Sequence, residues 1–107
     1  MSISVRDIAW AAGIYEGEGS CSGPTRHCRT HVVALTQKGE WLPRELQSLF
    51  GGCVYAYEYA ATSERPARKY HYWKLTGPRA RGFLMTIFAF LSPRRRSQIT
   101  KALQGAR

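Results

Sequence analysis

The stretch Ile8-Ala9-Trp10-Ala11-Ala12-Gly13-Ile14-Tyr15 would be apolar on every side of a helix, and this constrains the fold more than any other feature. Ser4 as N-cap, with Asp7 three residues on, fits a capping box. The spacing therefore predicts a helix from Ser4 to about Gly17. A helix apolar all round is buried on more than one side. A chain of 107 residues suits one domain, residues 1–107, with one core. One side of the helix faces that core, and another needs a partner. Gly13 and Gly17 stand at i and i+4, on one face. Small residues so spaced let two backbones approach closely, as between membrane helices. Each glycine costs roughly 1 kcal/mol of helix propensity, which tight helix–helix packing would offset.

Downstream, strand and helix patterns alternate. Gly19 to Thr25 predicts a short first strand and a turn. Arg29 to Lys38 reads as a second strand, with His31, Val33 and Leu35 alternating against Thr30, Val32, Ala34 and Thr36. Trp41 to Phe50 predicts a helix whose apolar stripe is Trp41, Leu42, Leu46, Leu49 and Phe50, with Pro43 in its first turn. Gly51-Gly52 ends it. Cys53 to Ala60 is a third strand, with Tyr55, Tyr57 and Tyr59 on one face and Val54 and Ala56 on the other. A polar, basic loop from Thr62 to Arg68 leads to a fourth strand, Lys69 to Thr76, with faces Tyr70-Tyr72-Lys74 and His71-Trp73-Leu75. Gly77-Pro78 stops that strand, and a helix from about Arg79 to Leu91 follows. Ser92-Pro93 opens a last helix as N-cap and N1, with Ile99, Ala102 and Leu103 on its apolar side. The order αββαββαα with two hairpins predicts an α+β class. Helices cover one face of an antiparallel sheet, and the other face stays open, saddle-like, and tyrosine-bearing.

Charge narrows the partner. Sixteen Lys and Arg face seven Asp and Glu, a net charge of +9, and such an excess on a small domain favours a polyanion. The longest apolar run, Phe83 to Leu91, is too short to span a membrane. The opening Met1-Ser2-Ile3-Ser4 has no charged n-region or h-region. The expected location is therefore cytoplasmic, with nucleoid association when bound, and neither a membrane nor a small-molecule substrate is expected. Cys21, Cys28 and Cys53 are odd in number and do not read as a disulfide framework. Reduced thiols are expected. The alternative is a zinc site built from these cysteines with His27 or His31, although no Cys-x-x-Cys pair exists.

Ala11-Ala12-Gly13-Ile14-Tyr15-Glu16-Gly17-Glu18-Gly19-Ser20 resembles the LAGLIDADG motif of homing endonucleases, in its Gly-Glu-Gly-Ser variant. Leu35-Thr36-Gln37-Lys38 resembles that family's strand-end Thr-Gln-Lys. Leu49-Phe50-Gly51-Gly52 and the basic segment Leu91 to Leu103 are similar to further family positions. The four follow one another in family order, so the resemblance covers nearly the whole chain. It implies that the motif helix packs against its twin across a two-fold axis through Trp10, Gly13, Ile14 and Gly17. One motif per chain implies a homodimer.

The resemblance also implies a chemistry: metal-dependent, site-specific cleavage of double-stranded DNA at a palindromic or near-palindromic site. Glu18 from each subunit would bind Mg²⁺ (or Mn²⁺) beside the scissile phosphates. Gln37 matches the residue that helps position water near the metal, and Arg94 falls where the family places a basic catalytic residue. Glu16 matches a position with a structural role. Physics adds to the case for Arg94. Arg94, Arg95 and Arg96 would crowd the positive end of a helix, which costs stability unless an anion is near. Antiparallel ribbons fit the major groove. The DNA surface is therefore expected to comprise Ser20, Ser22, Arg26 and Thr30 in the first hairpin, and Tyr55, Tyr57, Tyr70, Tyr72 and Lys74 in the second. Arg65, Arg68 and Lys69 are expected to hold phosphates. The chain departs from the family in having Gly39-Glu40-Trp41 where the family sometimes has a basic residue a few positions after the Gln, and in its short first hairpin. Some relatives act as RNA maturases or DNA-binding regulators, so a non-catalytic nucleic-acid binder is the alternative function.

Overall fold

In the computed structural model, which describes residues 3–25 and 29–104, the elements run α1 (Val5–Glu18), β1 (Gly19–Ser22), β2 (Val32–Gln37), α2 (Trp41–Phe50), β3 (Cys53–Tyr59), β4 (Arg68–Thr76), α3 (Gly77–Ile87), a 3-10 turn (Phe88–Phe90) and α4 (Pro93–Gln104). The class is α+β, as the pattern predicts. All strand pairs are antiparallel, in the order β1-β2-β4-β3. The capping box forms at the start of α1. Ser4 Oγ accepts from the Asp7 N–H, and the Asp7 carboxylate accepts from the Ser4 N–H, each at 3.1 Å.

Period-two alternation sorts the sheet into two faces. Val33 and Leu35 of β2 lie opposite Leu75 and Trp73 of β4, and all four are buried. Val54 of β3 pairs with Trp73 on the same side. The buried residues of all four helices join this cluster: Ala11, Ala12 and Tyr15 of α1, Leu46 of α2, Phe83, Leu84 and Ile87 of α3, and Ile99 of α4. Burying each Leu or Ile removes about 1.5–3 kcal/mol of unfavourable exposure. Phe83 ties the layers together, with its ring edge-on to Phe50 at 5.0 Å, Trp73 at 5.2 Å and Tyr15 at 6.3 Å. The largest core side chain also satisfies its polar atom, since Trp73 Nε1–H donates to Gly51 O at 2.9 Å. Gly51 and Gly52 make that turn possible. Both have positive φ, 79° and 95°, and a Cβ on Gly52 would lie 2.6 Å from Lys74 O.

Several boundaries differ from the expected ones. Gly77 and Pro78 open α3 instead of preceding it. Gly77 (φ 67°) turns the chain out of β4 while its N–H donates to His31 O at 2.9 Å, and Pro78 sits in the first turn, where its missing N–H would have no helical partner anyway. The expected continuation of this helix to Leu91 is replaced by the tighter 3-10 turn at Phe88–Phe90. β2 begins at Val32 instead of Arg29, and Arg68 starts β4 instead of ending the loop. Trp41 leaves the expected stripe of α2. It is 67% exposed, while Leu46 and Pro43 carry that helix's burial.

Candidate functional site

The end of α1 is fixed by its neighbours. Gly19 caps it through an N–H to Tyr15 O. A Cβ at Gly19 would overlap the Tyr15 ring, so the glycine after Glu18 is dictated by packing. Tyr15 is itself 2% exposed, and its hydroxyl has no hydrogen-bond partner among the described residues. Burial first, then the nearby Cys21 thiol, pushes that hydroxyl well above its ordinary pKa. Because Gly19 pairs with Leu35, Glu18 emerges at the end of β2 that carries Gln37 two residues further on.

The last turn of α1 holds two carboxylates and no basic residue. A helix C-terminus is the negative pole, where cations are favoured by about 0.3–1 kcal/mol and acids are not. Glu16 is compensated. Its Oε1 accepts from the Ser92 N–H and its Oε2 from Ser92 Oγ–H, both at 2.8 Å. These two bonds, with help from the charges of Arg95 and Arg94, hold its carboxyl below its usual range. Glu18 is exposed, and among the described residues no hydrogen bond or ion pair holds its carboxylate.

The same joint accounts for the arginine run. The N-terminus of α4 meets an anion within the chain itself, namely Glu16. Arg95 Nε–H donates to Glu16 O at 3.0 Å, Nη1–H donates to Gln98 Oε1 at 3.1 Å, and the guanidinium lies 5.3 Å from the Tyr15 ring centroid. The sequence reading missed this role for Arg95, because Glu16 and Ser92 are 76 positions apart. Arg94 remains exposed in the same turn, close enough for its charge to act on Glu16. Gln37 is half-buried, opposite His71, on the face that continues from Val33 and Leu35. His71 Nδ1–H donates to Lys38 O at 2.9 Å and braces the strand end. Glu18, Gln37 and Arg94 thus lie toward one end of the molecule.

On the open face, rows run across the sheet. Ser20, Ala34, Lys74 and Cys53 form one row, and Thr36, Tyr72 and Tyr55 another. Tyr70 stands opposite Tyr57, and Arg68 opposite Tyr59. Most of the expected contact residues therefore share this face, with Ser22 beside Val32 at one end. Two do not. Lys69 points to the opposite face, where it pairs with Glu58 at 3.7 Å. Thr30 is half-buried outside the strands, near Gly77. Arg26 lies outside the described residues. Arg65 lines a cleft with Arg68 and Tyr70. Tyr59, omitted from the expected contacts, belongs to the row, as its alternation with Tyr57 already indicated.

The outward side of α1 carries Gly13 and Gly17, both exposed, and among the described residues an added Cβ would meet nothing within 4 Å at either. Trp10 and Ile14 flank them half-buried, and Trp10 meets exposed Trp41 edge-on at 6.2 Å.

A divalent cation would find hard oxygen at Glu18, a carboxylate without a cation at the negative pole of a helix. That donor chemistry suits Mg²⁺ with retained waters. Among the described residues no group of three His, Cys, Asp or Glu could hold a metal. A shared zinc site for Cys21 and Cys53 is ruled out by placement, since they stand on opposite edges of the sheet and on opposite faces. His27 and Cys28 lie outside the described residues. Among the described residues no helix is long and apolar enough to cross a membrane. No family model matches the chain, and no curated protein matches it in sequence.

Proposed function

We propose that the chain is a single-motif LAGLIDADG-type subunit. Two copies would form a Mg²⁺-dependent endonuclease that cuts double-stranded DNA at a palindromic or near-palindromic site. The observation that carries this reading is α1 itself. Its outward stripe holds two glycines at which an added Cβ would meet no contact among the described residues, and it ends in Glu18, an exposed carboxylate at the negative pole of the helix. Packed against its twin along Gly13 and Gly17, with Trp10 and Ile14 at the flanks, α1 would bring the two Glu18 carboxylates near one axis.

In this reading Glu18 would hold the cation. A bound Mg²⁺ would supply charge for the leaving oxygen and activate a water. From the end of β2, Gln37 would orient the attacking water, and Arg94 would lend positive charge to the phosphate. Glu16 does not face the substrate; it locks α1 to α4 and so fixes where Glu18 and Arg94 stand. The open face, with Ser20, Ser22 and Lys74 beside the tyrosines, lies along the major groove, where base edges differ.

The test is cleavage selection on a randomised duplex library in Mg²⁺, with Glu18→Gln in parallel. Symmetric cut sites with staggered ends, absent in the variant, are the expected result. Glu18→Gln should keep binding, because it removes metal affinity and leaves the basic surface. A folded Glu18→Gln protein that no longer binds DNA would refute that division of roles.

One observation favours a second reading, a binder that does not cut. A few positions after the Gln, where some family members have a basic residue, this chain has Glu40, engaged with Arg44 at 3.3 Å. Binding enrichment without cuts, in a folded protein, would select that reading.

A further inference from the structure

The half of the open face formed by β3 and β4 carries a connected set of tyrosine rings. Tyr55 and Tyr72 stack at 5.5 Å, with 14° between their planes. Tyr57 stands edge-on to both, at 5.7 and 5.2 Å, and Tyr59 stands edge-on to Tyr70 at 5.8 Å. Core packing would hide such rings. Instead Tyr57 keeps 54% of its surface open, Tyr59 41% and Tyr55 39%.

The surroundings of this aromatic strip are cationic. Glu58, the one acid in the two strands, points to the other face and is paired with Lys69. At one end lies a cleft of about 340 Å³ lined by Thr36, Tyr59, Arg65, Arg68, Tyr70 and Tyr72. The Arg68 guanidinium lies 4.7 Å from the Tyr59 ring centroid. At the other end Lys74 and Arg79 line a second opening beside Tyr55. From Arg68 to Lys74 the strand spans about 20 Å.

Rings flanked by cations, with the strands' one carboxylate turned to the other face and paired, match unpaired bases and their phosphates. A duplex offers a sheet only the edges of its bases, whereas stacking needs bases freed from their neighbours. We infer that the β3–β4 half of the open face is a binding strip for single-stranded DNA, taking roughly two or three unpaired bases on its tyrosines and their phosphates on Arg65 and Arg68. This rests on the DNA-binding part of the reading above and not on cleavage.

The test compares the full chain's affinity for a labelled thymidine strand with that for an abasic strand of the same length and charge. Base stacking should favour the base-bearing strand by about tenfold or more. Tyr57→Ala should erase about tenfold of that affinity and leave the abasic strand unchanged, while Tyr57→Phe keeps the ring and the binding. Arg68→Gln should weaken both strands. Equal affinity for the two strands overturns the inference, as does a Tyr57→Ala loss shared equally between them. Tighter binding of RNA of equivalent sequence overturns the assignment to DNA. Failure on both strands, with duplex still bound, overturns this inference alone; failure on duplex as well overturns the proposed function with it.

Discussion

Glu16 and Glu18 stand two residues apart in one helical turn, yet their surroundings give them different work. Glu16 accepts two hydrogen bonds from Ser92 and feels Arg95 and Arg94, so its ionised form is favoured on folding. A folded-state pKa below the ordinary 4.5 means stability that is present above that value and lost as pH falls through the folded value. Glu16→Gln should therefore lower the melting temperature at neutral pH, and the gap from the parent should close as the pH falls below 4.5 and through the lowered folded value. Thermal unfolding across that range checks it. A gap that persists unchanged in acid would show that shape, and not charge, sets the Glu16–Ser92 joint. The motif's letters alone do not separate these two acids by environment. The distinction comes from a residue 76 positions away, and no local pattern encodes that contact.

Elements whose logic is local were legible in the sequence. The capping box at Ser4, the alternation through Val33, Leu35, Trp73 and Leu75, and the glycine pair after Phe50 all act within a few residues, and each appears as expected. Elements decided by distant packing were not. Gly77-Pro78 reads equally as a strand stop or a helix start, and the bond from Gly77 to His31 O decides it. Lys69 alternates with Tyr70, so its place in β4 puts it on the opposite face from the tyrosines, beside Glu58, and the phosphate contact expected of it overlooked that alternation. Helix α1 gives the sharpest test at this level. Replacing Gly13 or Gly17 by Ala meets open space within the chain, and should stabilise the helix by roughly 1 kcal/mol each. If the stripe packs on a twin, the added methyl groups hold the backbones apart, and association should weaken by about tenfold or more, or about 1.4 kcal/mol. Sedimentation equilibrium together with thermal unfolding separates the two effects. Higher stability with undiminished self-association would remove this stripe from the interface.

Across the whole molecule, charge is distributed by role. Some of the sixteen Lys and Arg are engaged internally: Arg95 on Glu16 O and Gln98, Arg44 on Glu40, Lys69 on Glu58. Arg65, Arg68, Lys74 and Arg79 remain along the rim of the tyrosine-bearing face. In the proposed dimer two subunits would present eight such cations, and if each neutralises one phosphate, the slope of log affinity against log salt should be about −7. Between about 50 and 200 mM salt, binding should then fall roughly ten-thousandfold. Arg68→Gln, which removes two of the eight cations in a dimer, should flatten the slope by about 2. Titration of a labelled duplex over that range checks both numbers. A slope near zero would mean that the basic rim does not meet phosphate. A steep slope unchanged by Arg68→Gln would move the contact elsewhere, to the exposed cations of α4, and with it the face on which the DNA lies.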